Sequence, residues 1–214
     1  DSFSIYNKTF PSTMKFPTNR LRRLRYNKIL RNMIEDVRIN SSDLICPIFI
    51  IEGTNIKEPI DTMPGQYRYS IDQAVKLCKE LILNKINSII LFGIPLKKDN
   101  TGEISCNSNS IIPKAIKELK NVYGDQIFII ADVCNCEYTT HGHCGTIIDN
   151  DVDNDATLET LCRQSLILVK SGADALAPSD MMDGRVQAIR NELDKNNFEK
   201  IPIFPYSCLL YTSD

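Results

Sequence analysis

Short apolar runs alternate with amphipathic segments along most of the chain. Apolar runs of strand length fall at residues 44–51, 87–93, 127–133, 173–178 and 201–205. Between them, apolar positions recur every three or four residues, as on one face of a helix. These helical segments are 27–38, 71–84, 111–123, 156–170 and 182–195. Runs that are apolar throughout are typical of strands buried on both faces, so the pattern predicts an α/β protein with a parallel sheet.

The residues that follow the apolar runs favour one parallel architecture over another. A doubly wound sheet is expected to carry a Gly-rich phosphate turn after its first strand, and none is present. In a (β/α)8 TIM barrel, functional side chains follow several different strands. Here such side chains follow three of the runs: Asp132 and Cys134, then Ser179 and Asp180, then Tyr206. A barrel takes about 250 residues, so we predict about the first five β/α units of a barrel.

The predicted barrel occupies residues 44–207, and three other segments flank it. Residues 1–17 are predicted to be a disordered or upstream tail, and residues 208–214 an aberrant tail. Residues 18–43 are predicted to form an N-terminal arm that contains a basic run at residues 20–25. The run is interpreted as a solvated arm or helix start, or as an arm that grips a neighbouring subunit. Nucleic-acid binding is disfavoured, because no aromatic residues are interleaved with its charges.

Composition and charge exclude several classes of protein. Of the 214 residues, 43% are hydrophobic and 24% charged, which is ordinary for a globular protein and argues against global disorder. The net charge of -2 gives no reason to expect a nucleic-acid partner. No apolar run approaches the roughly 18 residues of a membrane span, and no secretory signal pattern is visible. The eight cysteines are not arranged as a disulfide framework, so we expect a cytoplasmic protein.

Residues 132–145 concentrate the side chains that bind metals. They contain both histidines of the chain and three cysteines, Cys134, Cys136 and Cys144, in the pattern C-x-C-x7-C. Zinc prefers thiolate and imidazole ligands, and three ligands with no obvious fourth are typical of a catalytic zinc site. Buried thiols without a role are the alternative. We expect His143 to be an extra or supporting ligand and His141 to be a hydrogen-bonding partner.

Three acidic or hydroxyl residues nearby have both a structural and a chemical interpretation. Asp132 either caps a turn or acts as an acid, base or orienting group, and it should stay ionised beside a metal cation. Ser179 and Asp180 either cap the next helix or line the site. Residues 149–155 are rich in Asp and Asn but lack the spacing of an EF-hand, so a solvated loop with a helix cap at Asp155 is predicted.

Two long motifs resemble those of the porphobilinogen synthase family, also called 5-aminolevulinate dehydratase. They are Asp-Val-Cys-Asn-Cys-Glu-Tyr-Thr-Thr-His-Gly-His-Cys-Gly at residues 132–145 and Ala-Pro-Ser-Asp-Met-Met-Asp-Gly-Arg at residues 177–185. Shorter matches lie at residues 20–25, 47–49, 63–65 and 91–93, and the resemblance extends from about residue 18 to Ser207. It implies a (β/α)8 barrel whose N-terminal arm wraps a neighbour, usually in a homo-octamer.

The resemblance also implies an activity and a cofactor. Members of the family are lyases that condense two molecules of 5-aminolevulinate to porphobilinogen, with loss of two waters, early in tetrapyrrole (heme) biosynthesis. It implies that Cys134, Cys136 and Cys144 hold a catalytic Zn²⁺, as in the cysteine-type members, and that Asp132, Ser179 and Asp180 line the active site. Other members have aspartate-rich sequence here and rely on magnesium. A further Mg²⁺ elsewhere in a full-length enzyme is compatible with the family.

The sequence departs from the family near its end. The family binds its substrates as Schiff bases on two lysines, and Leu209 stands where the first lysine belongs. The second lysine belongs to a later strand that this sequence does not contain. We therefore predict that this chain is inactive by itself. The alternative function is a non-catalytic half-barrel that binds zinc.

Overall fold

The computed structural model describes residues 19–207, which fall into two compact units that divide between Asn40 and Ser41. The tails predicted at residues 1–17 and 208–214 lie outside the described residues, and so does Leu209. No helix within residues 19–207 is long and apolar enough to cross a membrane.

The first unit consists of two short helices whose apolar side chains are exposed. A 3-10 helix spans Leu21–Arg25, and α1 spans Lys28–Met33. The side chain of Asn27 caps α1 by accepting a hydrogen bond from Ile29 N at 2.7 Å. The helix predicted over residues 27–38 is therefore too long. The apolar positions of residues 27–38 are largely exposed in the described part of this unit. Tertiary packing, which supplies most of a helix's stability, therefore does not lengthen α1.

The second unit is built on a sheet of six strands. Residues 19–207 contain eight strands, which are β1 Ile45–Ile51, β2 Lys57–Pro59, β3 Tyr67–Tyr69, β4 Ser88–Ile94, β5 Phe128–Val133, β6 Thr146–Ile148, β7 Asp151–Asp153 and β8 Ala175–Pro178. The order in the main sheet is β2-β3-β1-β4-β5-β8, and every neighbouring pair is parallel except β2 with β3. The prediction of an α/β fold with a parallel sheet is confirmed.

Two parts of this sheet differ from the predicted strands. The strands β2 and β3 were not predicted, because each has only three residues and neither is a continuous apolar run. The run predicted as a fifth strand, residues 201–205, forms only an isolated parallel bridge between Leu176 and Ile203. Backbone hydrogen bonds nevertheless hold this segment along β8: Leu176 N donates to Pro202 O and Phe204 N donates to Leu176 O.

The helices cover one face of the sheet and form the core with it. They are α2 Ile71–Leu83, α3 Ile111–Tyr123, α4 Asn154–Lys170 and α5 Arg185–Lys195. Alternate strand residues point toward them, and the fully buried members of this cluster include Ile48, Leu91, Ile129, Ile116 and Leu161. The opposite face of the sheet is also apolar. It carries the stacked rings of Phe49 and Phe92, with centroids 5.3 Å apart, and a small cluster around Ile130.

The predicted helix caps are wrong at two positions. The side chain of Asp153, not Asp155, caps α4 by accepting a hydrogen bond from Ala156 N at 2.9 Å. The helix begins there because residues 146–153 form the β6–β7 hairpin instead of a loop, with positive φ at Asp149 and Asn150, as a two-residue hairpin turn requires. The N-cap of α5 is Gly184, so neither Ser179 nor Asp180 caps it.

A carboxylate closes the turn that follows β4. Asp99 Oδ1 accepts hydrogen bonds from the backbone N–H groups of Thr101, Gly102 and Glu103, and Oδ2 accepts one from Ile104 at 3.0 Å. Burial raises the pKa of Asp99, but the backbone donors outweigh it, and the pKa lies below its ordinary value. Ionised Asp99 therefore stabilises the turn.

We expect this stabilisation to depend on pH. The folded pKa is depressed, so the contribution is complete above the unfolded pKa of about 3.9 and is lost as the pH falls through the folded value. Asp99→Asn should lower the free energy of unfolding by about 1 kcal/mol at pH 6. The difference between the two proteins should shrink between pH 4.5 and pH 3 in urea titrations. An equal difference at both ends of that range would contradict the assignment.

Candidate metal centre

The candidate site lies where β5 and β8 end at the same edge of the sheet. The register pairs Asp132 with Ala177 and Val133 with Pro178, so the segments that leave the two strands are neighbours. The N–H of Ser179 donates to Val133 O at 3.2 Å. The parallel pairing therefore brings Asp132, Ser179 and the cysteine segment together, although residues 132 and 179 are far apart in the sequence.

The thiols of the cysteine segment are close to one another. Cys134 Sγ lies 3.2 Å from Cys136 Sγ, which lies 3.1 Å from a carboxylate oxygen of Glu137. The ligand atoms of these three residues all lie within 4.8 Å of each other. Cys144 is close enough to Cys134 for the two thiols to shift each other's pKa, but it does not belong to this tight group. Glu137 was missed by the sequence reasoning, and its only signal was a carboxylate directly after Cys136.

Cys134 and Cys144 have raised pKa values, so both thiols hold their protons at neutral pH. The hydrogen bond to Cys136, together with burial, raises the pKa of Cys134. The hydrogen bond to Cys134 and then burial raise the pKa of Cys144. A divalent cation would displace these protons, because metal ligands must be thiolates. The donor set therefore fits a thiophilic metal such as zinc better than magnesium, which prefers oxygen ligands.

Asp132 is a buried carboxylic acid with an unused oxygen. Its side chain is 9% exposed, and its Oδ1 has no hydrogen-bond partner. Burial is the main reason that the pKa of Asp132 rises to about 8; Ser179 opposes the shift, and the carboxylates of Glu137 and Asp180 add to it. Without a metal, this side chain is protonated at neutral pH. The ionised state expected of Asp132 beside a metal cation remains a prediction.

Two residues of the same segment, Met182 and Arg185, lie next to the carboxylate of Asp180. Its Oδ1 accepts a hydrogen bond from Met182 N at 2.8 Å, and its Oδ2 lies 3.5 Å from Arg185 Nε without a hydrogen bond. Burial raises the pKa of Asp180 even though the Arg185 guanidinium opposes the shift. Arg185 also donates to Tyr206 O at 2.7 Å and so links this acid to the segment beside β8. Its role was not predicted, although it lies in the second motif.

The two histidines serve the loop rather than the thiol group. His141 Nε2 is 3.1 Å from Asn100 O, and His141 Nδ1 accepts a hydrogen bond from His143 N. His143 Nδ1 accepts one from Gly145 N at 3.0 Å. Within residues 19–207, neither histidine joins the group of possible metal ligands. The expected hydrogen-bonding role of His141 agrees with these contacts.

Hydrogen bonds from helix α4 and from within the loop hold the backbone of the cysteine segment. Gln164 is buried and its Nε2 donates to Cys134 O at 3.1 Å. Thr139 Oγ1, also buried, donates to His143 O at 2.9 Å and closes the loop that leads to Cys144. These contacts fix the backbone around the thiols, as supporting hydrogen bonds do in metal sites. The seven cysteines between residues 19 and 207 are all free thiols, so no disulfide competes for them.

Comparisons with known proteins agree on one family. The family model of delta-aminolevulinic acid dehydratase matches residues 18–214. Curated proteins of that name are 46% identical over 194 residues in Methanothermus sociabilis and 46% identical over 188 residues in Ruminiclostridium josui. The matches cover 91% and 88% of this chain, and 60% and 91% of the respective relatives. The chain thus spans about 60% of the first relative's length.

A solved structure resembles the fold closely. The crystal structure of delta-aminolevulinic acid dehydratase (porphobilinogen synthase) from Toxoplasma gondii ME49, in complex with the reaction product porphobilinogen, superposes with a TM-score of 0.85. It is 35% identical in sequence, and the match covers 89% of this chain and 55% of that one. Fold and sequence therefore indicate the same family.

Proposed function

The chain belongs to the delta-aminolevulinic acid dehydratase family, and from that premise we propose that it carries the metal-binding half of a porphobilinogen synthase active site. The reaction is the condensation of two 5-aminolevulinate molecules to porphobilinogen, with loss of two waters, in tetrapyrrole biosynthesis. One observation carries the proposal above the others. The thiols around Cys134 lie beside Asp132 at an edge shared by two parallel strands.

Zinc is the metal that this site would hold, with Cys134, Cys136 and Cys144 as its ligands. The Sγ atoms of Cys134 and Cys136 lie 3.2 Å apart, and Cys144 is close enough to Cys134 to influence its pKa. Bound zinc would act as a Lewis acid that polarises a substrate oxygen. A Mg²⁺ elsewhere in a full-length enzyme is a separate proposal, and it does not involve these thiols.

The proton transfers of the condensation would fall to Asp132 and Asp180. Burial raises the pKa of both carboxyl groups, and a general acid or base acts best with a pKa near neutrality. The Oδ1 of Asp132 is buried without a partner, so it is available to a substrate group. Ser179 would orient Asp132, because a hydrogen bond between their side chains favours the ionised acid.

The fold proposal is the first five β/α units of a (β/α)8 barrel. The parallel strands β1, β4, β5 and β8 and the segment at residues 201–206 follow one another across the sheet. Tyr206 N donates to Pro178 O, which extends the pairing to the edge where the site lies. The face opposite the helices is apolar, with Phe49 and Phe92 stacked on it, as the interior of a barrel is.

We expect the 214-residue chain to form no porphobilinogen. The family's chemistry needs Schiff-base lysines, and neither is matched in this sequence. Lys170 and Lys195 end α4 and α5, at the edge of the sheet where strands begin, so they cannot replace them. The measurement is colorimetric detection of porphobilinogen after incubation of the zinc-supplemented chain with 5-aminolevulinate. The Bacillus subtilis relative, 42% identical, serves as the positive control. Product above the level of a Cys134→Ala variant would contradict the expectation.

The alternative is a half-barrel that binds zinc without catalysis. This alternative would use the same thiols to bind zinc, but it assigns no role to the buried acids Asp132 and Asp180. If 5-aminolevulinate changes the absorption spectrum of the cobalt-substituted chain, and Asp132→Asn weakens that response, the synthase interpretation is favoured. If the spectrum is unchanged at millimolar 5-aminolevulinate, the non-catalytic interpretation is favoured.

Self-association through the N-terminal unit is the partner proposal. Leu21, Tyr26, Ile29 and Met33 are each more than 70% exposed within the described residues, which is unusual for four large side chains in a short segment. A neighbouring subunit would cover them, in a homo-octamer when the protein is full length. The proposed location is the cytoplasm, where the free thiols stay reduced.

A further inference from the structure

The turn after β4 lies directly against the loop that holds the cysteines. Asp99 N donates to Tyr138 O at 3.0 Å, and Thr140 N donates to Asp99 O at 2.9 Å, which makes a parallel bridge between Asp99 and Thr139. His141 Nε2 is 3.1 Å from Asn100 O. Three residues of the cysteine loop, 138, 140 and 141, are therefore hydrogen-bonded to the turn at 99–100.

A second contact reaches the residue between two of the proposed ligands. Asn135 is fully buried, and Ser105 Oγ donates to its Oδ1 at 3.4 Å. Gly102 lies so close that an added Cβ would be 2.9 Å from the Asn135 Cγ. Gly102 also has a φ of +75°, which a side chain rarely adopts. The turn is thus shaped to fit against the segment Cys134–Asn135–Cys136.

One carboxylate gives the turn this shape. Asp99 accepts backbone hydrogen bonds from residues 101, 102, 103 and 104, and its own backbone makes the bridge to the cysteine loop. The side chain therefore fixes Gly102 and Ser105 against Asn135, while the main chain of the same residue fixes Tyr138 and Thr140.

We propose that Asp99 is a positioning residue for the metal site, acting through the turn to hold the cysteine loop in its ligand geometry. The inference rests on the proposed metal function and deepens it. The hydrogen bonds of its carboxylate all run to the turn, so Asp99 itself would not be a ligand. Its effect would be on the spacing of Cys134 and Cys136 to one side and of Cys144 to the other.

The test is cobalt(II) binding by the purified chain, followed through its thiolate-to-metal absorption. Asp99→Ala removes every acceptor and should weaken binding about 10- to 100-fold, the range for supporting residues of metal sites. Asp99→Asn keeps one acceptor oxygen, so its affinity for cobalt should lie between that of Asp99→Ala and that of the unchanged chain. The control is Asp72→Asn, because Asp72 also accepts backbone N–H bonds, from Asn55 at 3.0 and 3.1 Å, but contacts no part of the cysteine loop. Asp72→Asn should bind cobalt as the unchanged chain does.

A second measurement keeps the inference separate from the metal proposal. Amide hydrogen exchange of metal-free protein at residues 134–144 should be faster in Asp99→Ala than in the unchanged chain and in Asp72→Asn. If the unchanged chain binds cobalt and Asp99→Ala binds it equally well, the positioning role is wrong. If the unchanged chain binds no cobalt, the metal proposal fails, and hydrogen exchange in Asp99→Ala then tests the positioning role by itself. Faster exchange at residues 134–144 in this variant supports the role of Asp99. Exchange equal to that of the unchanged chain overturns it.

Discussion

Replacing Cys134 with alanine should abolish zinc binding by this chain. Cys134 Sγ lies 3.2 Å from Cys136 Sγ, and Cys134 and Cys144 are close enough to shift each other's pKa. Its loss leaves two thiols that do not belong to one tight group. Zinc sites need three or four protein ligands. We expect one zinc per chain after dialysis of the unchanged protein and less than about a tenth of that in the variant, measured by elemental analysis. Loss of a direct ligand should cost at least the roughly 10- to 100-fold in affinity that loss of a supporting residue costs.

Cys162→Ala is the matched control for that experiment. Cys162 is also a half-buried free thiol, but it lies on α4 and packs against the hydrophobic core instead of the cysteine segment. Its zinc content should equal that of the unchanged chain. Equal zinc in Cys134→Ala and in the unchanged chain would remove the metal assignment. Equal loss in both variants would point to unfolding rather than to ligand removal, and circular dichroism distinguishes the two.

Asp174→Ala should destabilise the second unit by about 2–3 kcal/mol, a large share of ordinary domain stability. Asp174 accepts hydrogen bonds from Lys120 Nζ at 2.7 Å and from Ile129 N at 2.7 Å, so it joins α3 to the start of β5. Both partners of the ion pair are mostly buried. The substitution leaves the Ile129 N–H without its acceptor, and it leaves the Lys120 ammonium group with carbonyl oxygens of Gly124 and Ile127 but without its counter-charge. Urea titration followed by fluorescence or circular dichroism measures the change.

The control for Asp174 is an ion pair of the same charge type at the surface. Arg163 and Glu103 form one with both side chains about half exposed, at 51% and 52%, so Glu103→Gln should cost less than about 1 kcal/mol. A double-mutant cycle with Lys120→Met then isolates the Lys120–Asp174 coupling. If Asp174→Ala and Glu103→Gln change the free energy of unfolding equally, the structural role assigned to Asp174 is wrong.

The sequence pattern predicted the strands that are apolar throughout and the helices whose apolar residues recur at a regular spacing. The helix at residues 111–123 is confirmed at both ends, because Ser110 precedes it and Gly124 follows it as the pattern stops. The strands at residues 44–51 and 127–133 are confirmed within one residue, because they are apolar throughout. The three-residue strands β2 and β3 escaped prediction, since pairing with neighbours, not their own composition, makes them strands.

The candidate site was predictable only where its residues are close in sequence. Cys134, Cys136 and Cys144 form a local pattern, and their zinc assignment remains a prediction. Arg185 and Asp99 act through contacts with Asp180, Tyr206 and the cysteine loop, and their positions relative to those groups depend on the fold. The pKa of Asp132 could not be inferred either, because burial sets it.

The three thiols all lie within residues 134–144, between the end of β5 and the start of β6. Closing so short a loop around a cation costs little chain entropy, and no ligand has to arrive from another strand. On the proposed zinc assignment, the residues that set the metal preference would all lie in one contiguous segment, whereas the acids come from the ends of separate strands. A change of metal could proceed by substitutions confined to that segment, while the sheet that carries it remains as it is.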